Sequence, residues 1–546
     1  MFKDYVDIVL PYESADNYYI GRQKGSIENF IWLEPEWYSK LFNPTTFYIL
    51  GSKGSGKTLL AAYMCAERRN GTVSKSYTID VGDYGKLIAM KQANHLDFTD
   101  YLTMWKVILI QKFLFGIDEN EISFWNRNRS FEELQETISS YFGYDVTDDS
   151  FNPVTLIDSF GKQGEVTNYL HAQVSGGIDK KPIQVSSVLE DSTEEKEQHS
   201  SDRKKESVSV VYTDTWMRSI SEFKKTIDNI TFKYNHFLFV DGLDVRPNGI
   251  DAKEYSECIG ALVRAVYDLN TRVFGSLKRK DNHDFKIVAL TRTDIFLNSE
   301  LVNVTSCIND NCIELDWSYS NEREFQYSTL YRMMNRILGW DGKSEQRPVE
   351  QYFSFFVSSF SRWSIKASMF IQRQSRLRPR DIVVMLQLIQ KECKNRGQRN
   401  PSAAVLGSKS FVSNYSSYYA EQIKSEMMFK YTTDEIKKIF ELIKSIREDT
   451  FKEVYFEAIY NEYVQHNVEF VDIFPDYHSV LDSLYSLDII GWREIYKRKS
   501  KVHWHYREVK AIDEVYRLPW EQIRKAEKVS FIIHRGASKH ILGTIK

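Results

Sequence analysis

Apolar and polar positions alternate along the chain in two regimes. In the first, short apolar runs punctuate longer amphipathic stretches: Phe47-Tyr48-Ile49-Leu50, then Leu59 to Met64, a helical pattern over Phe98 to Phe115, the run Phe237-Leu238-Phe239-Val240, a helical pattern over Lys253 to Leu269, and Phe285 to Leu290. Strand-like runs separated by helix-period segments predict a mostly parallel sheet covered on both faces. In the second regime, from about Asn321 to Lys394, the periodicity is helical throughout, and a further helical region runs from about Ser410 to Arg447. The last hundred or so residues read as a separate module. There Ser479 to Leu487 has helical apolar spacing, Ile489-Ile490-Gly491-Trp492 follows, and Val502 to Arg507 alternates beyond a basic stretch. Helix, tight turn and hairpin with a charged tip is the outline of a winged helix.

One segment fits neither regime. Strand-like pieces at 166–174 and 207–212 flank the run Ser186 to Ser207, which has too little apolar mass to pack and reads as a loop or hairpin tip. The expected organisation is therefore a nucleotide domain over 1–300 with a long insert at about 120–215, a helical lid over 301–430, and a winged-helix-like domain over 431–546.

The loop after the first apolar run carries the chemistry. Gly51, Ser52, Lys53, Gly54, Ser55, Gly56, Lys57 and Thr58 spell a complete G-x-x-x-x-G-K-[ST] between a predicted strand and a predicted helix. Glycines let successive N–H groups point at phosphate oxygens, and the helix start adds its positive dipole end. Lys57 is the point charge for the β/γ-phosphates, and the Thr58 hydroxyl is a magnesium ligand. The acid that completes such a site stands at the tip of a buried strand, which makes Asp241 the magnesium-side carboxylate. Asp244, one short turn on, is placed either to polarise an attacking water or to cap a helix. Thr291 and Arg292 end the next strand and are candidates for sensing a γ-phosphate. Pro379 marks a helix start, so Arg380, and after it Arg378, can reach back to the phosphates from a rigid turn. Thr291-Arg292-Thr293-Asp294 has arginine where a guanine-reading motif has lysine, which favours ATP over GTP.

In this order, YILGSKGSGKT, FLFVDGLDVRP, KIVALTRTDIF, NCIELDW and LRPRDIV resemble the bacterial P-loop ATPases akin to the AAA+ and STAND/KAP lineages, which often occur in phage-defence and mobile-element contexts. That resemblance implies an α/β P-loop core with a helical lid and a winged-helix tail, ATP and Mg2+ as cofactors, homo-oligomers, and a separate effector protein. Two departures matter: Gly242 stands where AAA+ proteins carry glutamate, and Val245 where STAND proteins carry their last acid. Both point to a slow ATP/ADP switch.

Composition narrows the rest. The net charge of −3 offers no whole-chain attraction to a polyanion, yet from Gly491 to Lys546 fourteen Lys/Arg face six Asp/Glu. That excess fits DNA-backbone contact or a solvated protein-docking face. The five scattered cysteines read as reduced thiols, and neither a leader pattern nor a membrane-length apolar run occurs, so a cytoplasmic protein is expected. No nuclease, protease, cyclase or pore motif is recognisable. The expected activity is a nucleotide-driven switch acting on DNA or a protein partner; the rivals are a non-hydrolysing DNA-binding adaptor similar to replication initiators and a small-molecule kinase.

Overall fold

A computed structural model describes residues 2–19, 27–79, 98–123, 131–132, 134–135, 220–244, 246, 251–279, 281–299, 301, 303–319, 322–358, 364–496, 499–507, 517–526 and 528–542. The expected strands at 166–174 and 207–212 and most of the 120–215 insert lie outside them.

Five strands form a parallel sheet: β1 (Tyr48–Leu50), β2 (Thr72–Thr78), β3 (Asn235–Asp241), β4 (Phe285–Thr291) and β5 (Cys312–Glu314), in the order β2-β3-β4-β1-β5. The two-residue period sorts their side chains. Ile49, Phe237, Phe239, Val288 and Leu290 pack on one face with Leu41 of α1 (Pro35–Leu41) and with Leu60 and Met64 of α2 (Lys57–Ala66). Tyr48, Leu50, Leu238, Val240, Ile287 and Ala289 pack on the other, against α3 (Phe98–Phe115) and α4 (Ala252–Asp268). In α4 the buried Tyr255, Cys258, Ile259, Leu262, Ala265 and Val266 recur at helical spacing. Its start is capped by Asp251, whose carboxylate accepts from the N–H groups of Lys253 and Glu254. Because all five strands run the same way, the segments leaving β1, β3 and β4 emerge on one edge, where sheets of this kind gather ligands.

The second regime is helical with one interruption. Helices α5 (Thr329–Ile337), α6 (Pro348–Phe353), α7 (Ala367–Gln374), α8 (Pro379–Asn395) and α9 (Lys409–Met427) appear, but β6 (Phe356–Ser358) and β7 (Ser364–Lys366) form a two-stranded antiparallel sheet between α6 and α7. The pattern over 321–394 is thus not helical throughout. A three-residue strand is too short to stamp its period on the sequence. The start of the chain packs here too: the Tyr5 hydroxyl donates to the Leu386 carbonyl of α8 at 2.9 Å, and the Tyr5 ring lies against Phe353.

The C-terminal part follows as α10 (Thr433–Lys444), β8 (Thr450–Phe451), α11 (Glu453–His466), α12 (Tyr477–Ser486), β9 (Ile490–Tyr496), β10 (Lys499–His503), α13 (Trp520–Lys525), β11 (Val529–Ile533) and α14 (Arg535–Leu542). Its antiparallel sheet has the order β10-β9-β11-β8, so the last strand inserts between the hairpin and β8. One apolar core runs from α5 and α8 through Tyr419 and Ile423 of α9 to Leu481, Trp492 and Phe531. No helix among the described residues is long and apolar enough to cross a membrane.

Candidate functional site

The loop after β1 turns on two glycines in the left-handed region, Gly54 at φ 83° and Gly56 at φ 101°. Gly56 immediately precedes α2 and has no side chain to cap it, so the first-turn N–H groups are left to the loop cavity. The Lys57 ammonium donates to the carbonyls of Gly51 at 2.8 Å and Ser52 at 3.1 Å. Burial pulls its pKa down to about 8, against the attraction of Asp244 and Asp241. The Ser55 hydroxyl is buried and has no hydrogen-bond partner among the described residues.

Opposite the loop, β3 delivers Asp241 to the sheet edge. The Thr58 hydroxyl donates to Asp241 Oδ2 at 2.6 Å across 183 positions of sequence. The N–H of Gly242 holds the other carboxylate oxygen at 2.8 Å. Burial nevertheless raises the Asp241 pKa, with the Asp244 charge adding to it against these two hydrogen bonds and Lys57. A hydroxyl and a half-buried carboxylate biased toward its neutral form suit a divalent cation, whose charge would reverse that bias. The glycine cradle, the orphaned Ser55 hydroxyl and Lys57 suit a phosphate chain.

Gly242 is fixed by geometry. It sits at φ 89°, and a Cβ there would lie 2.5 Å from the Ile79 carbonyl oxygen. A glutamate cannot occupy this turn without moving the end of β2.

The other expected residues surround the same edge. Asp244 is half-buried and the largest favourable charge acting on Lys57. Thr291 is buried at the tip of β4. Arg292 lines the cleft, but Asp294 grips its guanidinium through both carboxylate oxygens. Burial opposes the Arg292 charge, yet Asp294 and Glu426 more than offset it and raise the pKa. Arg380 stands over the loop: its N–H donates to the Gly54 carbonyl at 3.3 Å, and its Cβ would be 3.1 Å from a Cβ at Gly54. Arg378 touches the loop as well, donating from Nη1 to the Lys53 carbonyl at 3.3 Å. Its guanidinium is otherwise engaged by Glu426 and by Asp488.

Two further contacts brace the loop. Trp317, just past β5, donates from its indole to the Ser55 carbonyl at 2.8 Å and so braces the loop from the side. Lys53 donates to the Ser425 hydroxyl at 2.5 Å, tying the loop to α9. Lys53 belongs to the loop motif and Trp317 closes the run NCIELDW, but neither contact is readable from the sequence. A cleft of about 1630 Å³ opens beside the loop, between Lys53 and Arg292 on one wall and His478, Asp482 and Trp520 of the C-terminal domain on the other.

No protein-family model matches the sequence. No curated protein matches it. In structure the chain is similar to the ORC2 protein of Aeropyrum pernix, solved as ADPNP–ADP complexes, with a TM-score of 0.37, 10% sequence identity and coverage of 99% of this chain and 96% of that one.

Proposed function

We propose that this chain is a P-loop ATPase that works as a slow switch, binding Mg2+–ATP at the loop after β1 and passing its nucleotide state to the C-terminal domain. The observation that carries the reading is the 2.6 Å contact between Thr58 and Asp241, which closes a phosphate loop onto a strand-end acid. In this assignment Lys57 meets the β/γ-phosphates, Thr58 and Asp241 hold the metal, and the metal offsets phosphate charge when bound. Asp244 orients and deprotonates the attacking water. Arg292, released from Asp294, reads the γ-phosphate, and Arg380 lies over the loop from the lid.

Slowness follows from Gly242. With φ 89° and the Ile79 carbonyl against it, the position next to Asp241 excludes a carboxylate side chain, so the base must come from Asp244 three residues after the strand tip. The downstream partner is DNA or a protein, reached through the C-terminal domain, with subunits assembled as homo-oligomers and the damaging activity of any defence role in a separate effector. Helix α12 of that domain, YHSVLDSLYS, carries no lysine or arginine, so its backbone-contacting charge would have to come from hairpin residues such as Arg493 and Lys501.

The same glycine favours a second reading, a non-hydrolysing adaptor in which nucleotide only stabilises a closed shape. Phosphate release separates the two. The switch predicts slow, magnesium-dependent release that Asp241→Ala and Asp244→Ala each reduce at least about tenfold. Equal and negligible release in all three proteins leaves the adaptor.

A further inference from the structure

The peptide between Ser55 and Gly56 is the part of the phosphate loop freest to turn. Gly56 has no Cβ, sits at φ 101° and has open space where a Cβ would stand, so rotation about this peptide meets little steric resistance. Its orientation decides what the loop offers a ligand. In a trans peptide the C=O and the N–H point in opposite directions. An N–H aimed into the loop would donate to a phosphate oxygen, whereas a carbonyl oxygen aimed there would repel it. Two contacts fix the choice. The Ser55 N–H donates to the Ser52 carbonyl at 3.1 Å, and the Trp317 indole donates to the Ser55 carbonyl at 2.8 Å. The Gly56 N–H is left without a hydrogen-bond partner among the described residues.

Trp317 is held in its turn. Leu315, two residues before it, donates its N–H to the Leu50 carbonyl at 2.8 Å, which carries the β5–β1 ladder up to the start of the loop. Trp317 is only 8% exposed and meets Trp37 of α1 edge-on, with ring centroids 5.2 Å apart and planes at 70°. Helix α1 is moored at its end by Lys286 of β4, whose ammonium donates to the carbonyls of Leu41 at 2.5 Å and Asn43 at 3.1 Å. We propose that Trp317 is a positioning residue for phosphate binding: it holds the Ser55 carbonyl aside so that the Gly56 N–H faces the loop interior, and Trp37 keeps its ring in place. This deepens the nucleotide reading above and rests on it. The Gly56 N–H then makes a charge-assisted hydrogen bond to phosphate with no reorganisation of the loop. Without the indole N–H, the buried Ser55 carbonyl loses its donor and the peptide is free to turn the wrong way.

Two substitutions separate positioning from packing. Trp317→Phe keeps an aromatic ring against Trp37 and deletes the donor. Calorimetric titration with Mg2+–AMPPNP should show it binding about five- to tenfold more weakly than wild type, the worth of one ordinary hydrogen bond. Trp37→Leu leaves the indole N–H in place but removes the edge-to-face contact, and should weaken binding about threefold. A general loss of packing would let the two effects add. Action through one ring does not: in the Trp317→Phe background, Trp37→Leu should weaken binding no further. If urea unfolding shows that Trp317→Phe does not fold, Trp37→Leu alone carries the test. Wild-type affinity in either folded single variant, or losses that add in the double variant, overturns the positioning role alone. A wild type that binds no nucleotide overturns it together with the nucleotide reading.

Discussion

The phosphate loop and the seam around Glu426 both bury charge, in opposite ways. At the loop, burial wins: Lys57 falls to about 8 and Asp241 rises, each pushed toward its neutral form because hydrogen bonds and nearby charges only partly offset desolvation. At the seam, partners win. Burial acts against Glu426, but Arg376, Arg378 and Arg292 lower its pKa; burial acts against Asp488 too, yet His505, Arg378 and Arg376 bring it down to about 2. A buried group biased toward neutrality has room for a charged ligand, whereas one biased toward charge has its counter-ion already. The contrast separates a site that expects company from a joint that holds the molecule together.

Removing Glu426 should test the joint hardest. Glu426→Ala leaves two buried arginines without their shared carboxylate and should lower unfolding free energy by roughly 3–5 kcal/mol in urea titrations; a loss under about 1 kcal/mol would put the seam in the same class as a surface ion pair. Gly242→Ala comes next, with a loss of roughly 2–3 kcal/mol from a left-handed backbone and the collision with Ile79.

The seam should also respond to acid. Asp488 titrates near 2 in the fold against a usual 3.8, so its stabilisation is complete above about pH 4 and is lost as pH falls toward 2. Thermal melts between pH 5 and 2 should show Asp488→Asn less acid-sensitive than wild type, by on the order of 2 kcal/mol; parallel pH profiles would contradict the assignment. The smallest effect has the opposite sign. Lys57 is charged in the ligand-free fold at a cost that is full below pH 8 and relieved between about 8 and 10.5. Lys57→Met should therefore stabilise ligand-free protein by ~1 kcal/mol at pH 7 and by less at pH 9.5, read from melting temperatures.

What sequence could and could not reveal follows the same divide. Residues 51–58 form a contiguous motif, so the loop and its flanking strand and helix were legible at once. The pairing of Asp241 with Thr58 was legible only because a complete loop motif stands upstream, since an acid ending a buried strand is common at turns. The helix and hairpin over 477–503 were legible from apolar spacing and alternation, but the insertion of β11 beside β9 was not, since strand order depends on contacts between segments far apart. The seam was invisible for that reason: Arg378, Glu426 and Asp488 are each an ordinary charged residue until tertiary structure brings them together. The turn at Pro379 makes Arg378 legible as an arginine beside the loop, but its simultaneous contacts with Lys53, Glu426 and Asp488 are not. In the sequence Gly242 is only a missing glutamate; the left-handed backbone and the Ile79 carbonyl show why no side chain fits.

Titration calorimetry of wild type and Lys57→Met with AMPPNP, with and without Mg2+, addresses the central claim most directly. The account predicts magnesium-enhanced binding by wild type and at least about 100-fold weaker binding by the variant, the loss expected when a buried charge-assisted contact of about 3 kcal/mol disappears. Equal affinities in the two proteins, or heat signals that ignore Lys57 altogether, would contradict it.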